Sequence, residues 1–387
     1  MGSFHRETSY LSASGMHGNT YFCAPKSSNM KQKNELYKES ERIRTWYRAN
    51  KRDLPWRNTT DPYRIWISEV ILQQTRVAQG LDYYYRFIER FPDVRSLAEA
   101  PQEEVLKYWQ GLGYYSRARN LHEAAQDIRQ RFGGVFPSLY EEIRSLKGIG
   151  EYTAAAIASF AWNLPYPAID GNVIRVLGRL FAVETPADSG KGKTEYRQLA
   201  TLVMPPRHAG EHNQALMEFG ALHCVPRNPD CTNCPMVGQC AGHASGDPHR
   251  FPIKQHKTKT RDRFFHYFFI MHDTDTYLHQ RTGNDIWKGL FELPMIETEA
   301  PADLTALQQT AAFSKLFNET GKLLFTLVTE ETRHILSHQT LHVACYIVKI
   351  EKENTELKKL IRTPWESIDI YPFPKLIVNL LSKIEQK

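Results

Sequence analysis

Cys224-Val225-Pro226-Arg227-Asn228-Pro229-Asp230-Cys231-Thr232-Asn233-Cys234-Pro235-Met236-Val237-Gly238-Gln239-Cys240 places four cysteines at gaps of six, two and five residues. Four thiolates in so short a span can wrap one soft metal centre, either an iron–sulfur cubane or a zinc ion. Cys23 and Cys345, the other two cysteines, lie far away. The spacing is neither the ferredoxin run of two, two and three nor a paired zinc knuckle. Thiols clustered for metal point to a reducing compartment and not to a disulfide scaffold. The expected location is therefore cytoplasmic, on the nucleoid if the host is bacterial.

Outward from this loop the chain divides in two. Its 387 residues suggest two domains, and a hydrophobic content of 41% supplies packed cores. No apolar run is long enough to cross a bilayer, and none resembles a secretory leader. A net charge of +6 is compatible with nucleic acid. Residues 1–30 are polar and aperiodic and read as a disordered extension, with Met16 and Met30 as alternative starts. Helical spacing recurs at 34–50, 61–79, 102–110, 114–131, 139–146, 151–162, 172–182 and 209–222. An all-α domain over 31–244 is expected, ending in the cysteine loop 224–240. Residues 245–263 carry Arg250, Lys254, Lys257, Lys259, Arg261 and Arg263 and read as a basic linker. Beyond it the pattern changes: 264–271 and 341–350 have strand character, and 303–317 and 374–385 have helical character. Residues 264–387 are thus expected to form an α+β domain.

Between two helical segments stands Leu146-Lys147-Gly148-Ile149-Gly150-Glu151-Tyr152-Thr153-Ala154. Glycines one residue apart permit a tight turn, and amides at the next helix start can meet a phosphate. Lys147 adds charge. Standing alone, such a pair is more often plain helix–turn–helix packing. The segment resembles the helix-hairpin-helix of DNA repair enzymes, and with the cysteine loop beside it that resemblance implies Lys147, Gly148 and Gly150 as DNA contacts that read backbone and not sequence.

Two carboxylates invite a chemical reading. Cleaving an N-glycosidic bond to a purine requires a protonated leaving base and a stabilised sugar cation. Glu69 lies at helical spacing among Ile65, Trp66 and Leu72, where lost hydration raises its pKa and suits a general acid. Asp170, before Gly171-Asn172-Val173, reads first as a helix N-cap. That position also favours an ionised carboxylate able to stabilise an oxocarbenium ion.

Together these segments resemble the MutY-type adenine DNA glycosylases of the helix-hairpin-helix, endonuclease III superfamily, from about residue 34 to the C-terminus. The resemblance implies a [4Fe–4S] cluster on Cys224, Cys231, Cys234 and Cys240. It implies duplex DNA with adenine opposite 8-oxoguanine as partner, and a monomer. Arg52-Asp53-Leu54-Pro55-Trp56-Arg57 looks like the mouth of the adenine pocket, with Arg52, Trp56 and Arg57 as its contacts. Ser68-Glu69-Val70, Leu72 and Gln73-Gln74-Thr75 match the general acid Glu69 and contacts at the mispair from Leu72, Gln74 and Thr75. Leu112-Gly113-Tyr114-Tyr115-Ser116-Arg117 resembles a DNA-contacting loop whose first tyrosine, Tyr114, wedges into the duplex. Leu112, Gly113, Ser116 and Arg117 are carried over with it. Glu218 matches an acid that hydrogen-bonds adenine. Bifunctional relatives carry a Schiff-base lysine where Tyr152 stands, which implies water as nucleophile and no strong strand nicking. Tyr152 and Asn172 are then expected to place the two acids.

The C-terminal domain resembles a MutT-like (Nudix-like) module. Trp287-Lys288-Gly289-Leu290-Phe291-Glu292-Leu293-Pro294 looks like its start, but residues 295–316 lack the glutamate-dense metal helix. A recognition module is expected, with Leu336-Ser337-His338 at the place of the family's Phe-Ser-His triplet. Ser337 and His338 are its polar pair. A pyrimidine glycosylase/lyase, a non-catalytic DNA-binding protein with a redox cluster, and a zinc protein are the rival readings.

Overall fold

A computed structural model describes residues 30–255 and 260–386. The expected disordered extension, save residue 30, and the middle of the expected basic linker lie outside the described residues. Among the described residues no helix is long and apolar enough to cross a membrane.

Residues 30–244 are helical: α1 (Met30–Asn50), α2 (Pro62–Leu72), α3 (Val77–Arg90), α4 (Val94–Glu99), α5 (Gln102–Tyr108), α6 (Ser116–Phe132), α7 (Tyr140–Ser145), α8 (Glu151–Trp162), α9 (Gly171–Leu180), α10 (Gly190–Val203), α11 (Ala209–Leu222) and α12 (Ala241–Ala244). They build two cores. One gathers apolar residues of α2 through α8, with Trp66, Phe87 and Trp109 fully enclosed. The other packs α1 against α9, α10 and α11 around Ile43, Leu177 and Tyr196. The chain therefore returns: its first described helix completes the core of the last ones. This leaves a cleft between the cores.

Helix α2 explains why a carboxylate sits in that cleft. Asp61 caps its start by accepting the Tyr63 amide at 2.9 Å. Residues 65 to 71 are then buried without a break. The single helix expected over 61–79 is in fact two. Arg117 takes the carbonyls of Val70, Ile71 and Gln73, which closes α2, and Gln74 turns into the left-handed region at φ 57°. Helix α3 then starts afresh at Val77.

The second domain is α+β: β1 (Arg261–Met271), β2 (Asp275–Gln280), β3 (Phe291–Glu292), β4 (Met295–Thr298), α13 (Leu304–Gln308), α14 (Ala311–Phe317), β5 (Leu324–Ile335), β6 (Gln339–Lys349), β7 (Ile361–Pro364) and α15 (Lys375–Ile384). One sheet has the order β4-β1-β6-β5, with β1 and β6 parallel; a second has the order β3-β2-β7. Alternation on β1 sends Phe265, Tyr267 and Phe269 to one core and Phe268 and Ile270 to another, so both faces are covered. The helix expected over 303–317 is broken at Thr310, whose hydroxyl caps α14.

The two domains share packing. Leu290 is fully buried within the first helical core, worth about 2 kcal/mol by area. Arg119 Nη1 donates to the Lys288 carbonyl at 2.6 Å, and the Phe373 amide donates to Gln110 Oε1 at 3.1 Å. The Trp287–Leu290 stretch that marks the start of the module is thus also its dock.

Candidate active site

A cavity of about 690 Å³ opens between the two helical cores. Glu69 from α2, Tyr152 from α8, Asp170 before α9 and Glu218 from α11 all line it. Glu69 is 6% exposed. The Tyr152 hydroxyl donates to Glu69 Oε2 at 2.6 Å. Burial pushes the Glu69 carboxyl up to about 7. The tyrosine hydrogen bond and Arg57 oppose this, and nearby Asp170 adds to it. Asp170 is the N-cap the sequence suggested: Oδ1 accepts the Val173 amide and Oδ2 accepts Asn172 Nδ2, both at 2.7 Å. The helix donors favour the ionised form, as the sequence reading expects, but burial works against them. Burial raises it by more than these donors and Arg175 lower it. Asp170 nevertheless has amide donors on its charged form, whereas Glu69 leans on a phenol.

Glu218 is almost wholly buried, at 1% exposure, and its oxygens are committed. Arg52 donates its amide and Nε to Oε1, and Nη2 to Oε2 at 2.6 Å. Arg57 donates Nη1 and Nη2 at 2.8 and 2.6 Å. Burial alone would raise this carboxyl, but the two guanidiniums bring it down to about 2. Glu218 still lines the cavity, as an anion that holds two arginines at its rim. Trp56 packs edge-on to Tyr84 at 5.1 Å beneath them.

The remaining predicted residues fall into three groups. Leu72, Gln74 and Thr75 line the cavity, as do Asn172 and Gly150. Lys147 is exposed on the hairpin between α7 and α8, 3.6 Å from Glu123. Gly148 there has φ 75°, and a Cβ would lie 2.6 Å from the Asn120 Cβ, so only glycine fits. No side chain caps the first turn of α8, which leaves its amides to a phosphate. Tyr114 is 46% exposed at φ 47°, after Gly113 at φ 74°, and its hydroxyl touches that of Ser337. Ser116 opens α6 on the surface. Ser337 and His338 are exposed in the turn joining β5 to β6, while Leu336 packs partly against the second domain's core. One residue is corrected: Arg117, expected to touch DNA, is buried with its Nη donors turned to backbone carbonyls. Leu112 is mostly buried and lines a cavity beside Tyr114 and Ser337.

The four loop cysteines are free thiols and line one cavity with Arg179 and His223. Arg179 Nη1 lies 3.3 Å from Cys224 Sγ, and the Met236 amide donates to Cys234 Sγ at 3.4 Å. His223 Nε2 is buried with no protein partner among the described residues. No trio of His, Cys, Asp or Glu among those residues is gathered as a single metal ion requires. Four thiols lining one cavity, with N–H donors beside the sulfurs of Cys224 and Cys234, are a donor set that suits a soft metal centre. Arg175 and Arg179 were missed from sequence. Their i, i+4 spacing just after Asp170 is the signal that one helix face serves this loop. Arg175 donates to the Cys224 carbonyl at 2.8 Å and to Asn172 Oδ1 at 2.8 Å, tying the loop to the Asp170 cap.

A buried acid and a capped acid share one helical cleft, with a glycine hairpin at its edge, an arrangement suited to cleaving a glycosidic bond of a bound nucleic acid. The comparisons agree. A family model described as HhH-GPD superfamily base excision DNA repair protein matches residues 67–201, and a NUDIX domain model matches 266–383. The adenine DNA glycosylase of Buchnera aphidicola subsp. Baizongia pistaciae is 34% identical over 349 residues, covering 89% of this chain and 96% of that one. The mouse adenine DNA glycosylase is 40% identical over 233 residues, 56% of this chain and 45% of that one. The solved structure of a thermostable thymine-DNA glycosylase superposes with a TM-score of 0.51 at 29% identity, covering 55% of this chain and 98% of that one. The chain belongs to the adenine DNA glycosylase family.

Proposed function

We propose that this enzyme removes adenine mispaired with 8-oxoguanine, or with guanine, from duplex DNA, and that it is monofunctional. The observation that carries the reading is the Tyr152–Glu69 hydrogen bond beside Asp170 in one cavity. Glu69, protonated near neutrality, gives its proton to adenine N7. The C1′–N9 bond breaks and its electron pair leaves with the neutral base. Asp170 meets the resulting oxocarbenium ion, and water adds at C1′ by way of a transient ester, as in retaining glycosidases. Asn172 holds Asp170 in place. Among the described residues no lysine lines the cavity, and Tyr152 stands where a Schiff-base amine would be needed.

Tyr114 fills the gap left by the flipped adenosine, and Ser337 and His338 inspect the opposite base. The test is single-turnover incubation with adenine opposite 8-oxoguanine. Base release is expected with strand breakage only after alkali. Nicking at the rate of base release would refute the monofunctional assignment. Replacing Ser337 and His338 together by alanine should erode the preference for 8-oxoguanine over guanine while adenine release persists. Full discrimination by that variant would remove the second domain from the reading.

The cysteine loop holds a [4Fe–4S] cluster in this proposal, shaping the DNA face next to the Asp170 helix. Anaerobically purified protein should contain about four iron atoms per chain. Stoichiometric zinc without iron would end that assignment. The enzyme works as a monomer in a reducing cytoplasm, on nucleoid DNA in a bacterial host.

A further inference from the structure

Arg117 stands outside the cavity yet grips both parts that the reaction needs. From the first turn of α6 its Nη1 donates to the carbonyls of Val70 and Ile71 at 2.9 Å and of Gln73 at 2.6 Å. Its Nη2 donates to the Gly113 carbonyl at 3.1 Å. The guanidinium lies 5.1 Å from the Trp109 ring centre and 5.7 Å from that of Tyr114. Glu69 directly precedes Val70 in α2. The two segments so joined each hold a non-glycine residue in the left-handed region, Gln74 at φ 57° and Tyr114 at φ 47°. Such backbone persists only where its surroundings fix it. A buried cation facing the carbonyl end of a helix is also well placed against the helix dipole.

We propose that Arg117 is a positioning residue that locks the last turn of α2, and with it Glu69, to the Tyr114 loop. Tyr114 in turn touches Ser337, so the chain of contacts runs from the β5–β6 turn to the acid. The position of the acid then depends on how that loop is seated on DNA. The inference rests on the reading of Glu69 as the proton donor and of Tyr114 as the wedge.

The experiment is a double-mutant cycle on the full chain with its metal centre intact. Single-turnover adenine release is measured at saturating enzyme for wild type, Arg117→Lys, Tyr114→Ala and the pair. Duplexes carry adenine opposite 8-oxoguanine or guanine. Lysine keeps the charge at the end of α2, but one ammonium cannot span both α2 and the loop. Arg117→Lys should slow release roughly 10- to 100-fold, the scale of a small misplacement of a reacting group. Affinity for a duplex carrying an uncleavable adenine analogue should fall by far less. In the Tyr114→Ala background the lysine substitution should add little, because the side chain that seats the loop on DNA and passes that seating through Arg117 to the acid is already gone. Losses that multiply, or rate and affinity falling by one common factor, overturn the proposal. Melting curves keep the assay below unfolding, and Arg117→Gln, which retains two amide donors, stands in if the lysine variant does not fold. If neither variant folds, Arg117 is a fold residue and the proposal falls. A wild type that treats 8-oxoguanine and guanine alike would remove the mispair reading, yet leave this cycle readable on either duplex.

Discussion

Glutamine in place of Glu69 is expected to slow single-turnover adenine release by roughly 10²- to 10⁴-fold, the range for loss of a general acid. Binding of the uncleaved duplex should persist, because Glu69 holds no surface position that a phosphate could reach. The same substitution should make the protein more stable at high pH. Burial puts the folded pKa at about 7 against an ordinary value of 4.5. The folded state therefore binds a proton that the unfolded state has released between these values. Stability from this group is fully present below about 4.5 and is lost as pH rises through about 7. A shift of this size corresponds to about 3 kcal/mol. Glutamine carries no charge to desolvate, and its carbonyl still accepts from Tyr152. Urea unfolding should therefore favour the variant at pH 8, with the gap closing by pH 4.5. Wild-type release should also decline above pH 7 as the acid ionises. A variant with near-wild-type release, or one less stable than wild type at pH 8, would contradict the assignment.

Legibility from sequence followed the range of the interactions. The cysteine spacing, the Gly148–Gly150 hairpin and the Asp170 cap are local, and each was readable where it stood. Glu69 was readable because α2 is buried on every side, so the apolar run around it is itself the signal. Besides the single turn of α12, three helices were not foreseen. Helix α3 begins with a valine just after the break at Gln74, and its buried Gly80, Tyr84 and Phe87 are masked by neighbouring Tyr83 and Tyr85. Helix α4 is one short turn-and-a-half set by the Asp93–Ser96 capping box. Helix α10 opens as Gly190-Lys191-Gly192-Lys193, which reads as a loop. Gly192 is nevertheless required, since a Cβ there would lie 2.0 Å from the Pro186 carbonyl oxygen.

Longer contacts were invisible in the sequence. Glu218 meets Arg52 and Arg57 across more than 160 residues of chain, and only the fold shows that it anchors two cations at the cavity. Arg117 misled for the same reason. A cation after a DNA-like loop suggests a phosphate, until α2 brings three backbone carbonyls to it. In the second domain β5 is an edge strand with no fully buried residue and a bulge near Thr329, so its polar pattern resembles a loop. β2 is buried at three successive positions and shows no alternation.

Asparagine in place of Asp170 separates the two roles that the sequence left entangled. An N-cap needs an oxygen at this site, and asparagine supplies one as well as aspartate does. Stabilising a sugar cation needs a negative charge, and forming an ester needs a carboxylate. If Asp170 were a cap alone, Asp170→Asn would be almost silent. Under the proposed mechanism it should slow adenine release by roughly 10³-fold or more, since a charge aimed at the transition state is lost. Binding should survive. The structural cost is confined to one contact. Aspartate accepts from both Val173 and Asn172, whereas the asparagine amide must turn its nitrogen toward one of them. Asn172 cannot simply flip, because its Oδ1 already accepts from Arg175. That loss is about 1 kcal/mol, the worth of one hydrogen bond. Burial of a charge is relieved at the same time, so the melting point at neutral pH should move little. Asp170→Ala removes cap and charge together, and should lose about 1 kcal/mol more stability than a silent change would. Wild-type release should fall on the acid side as Asp170 takes up a proton, at a pH above the ordinary aspartate value because burial raises its pKa. Single-turnover release by the two variants, read beside their melting curves, decides the matter. Fast release by Asp170→Asn with slow release by an unstable Asp170→Ala would return Asp170 to the role of a cap.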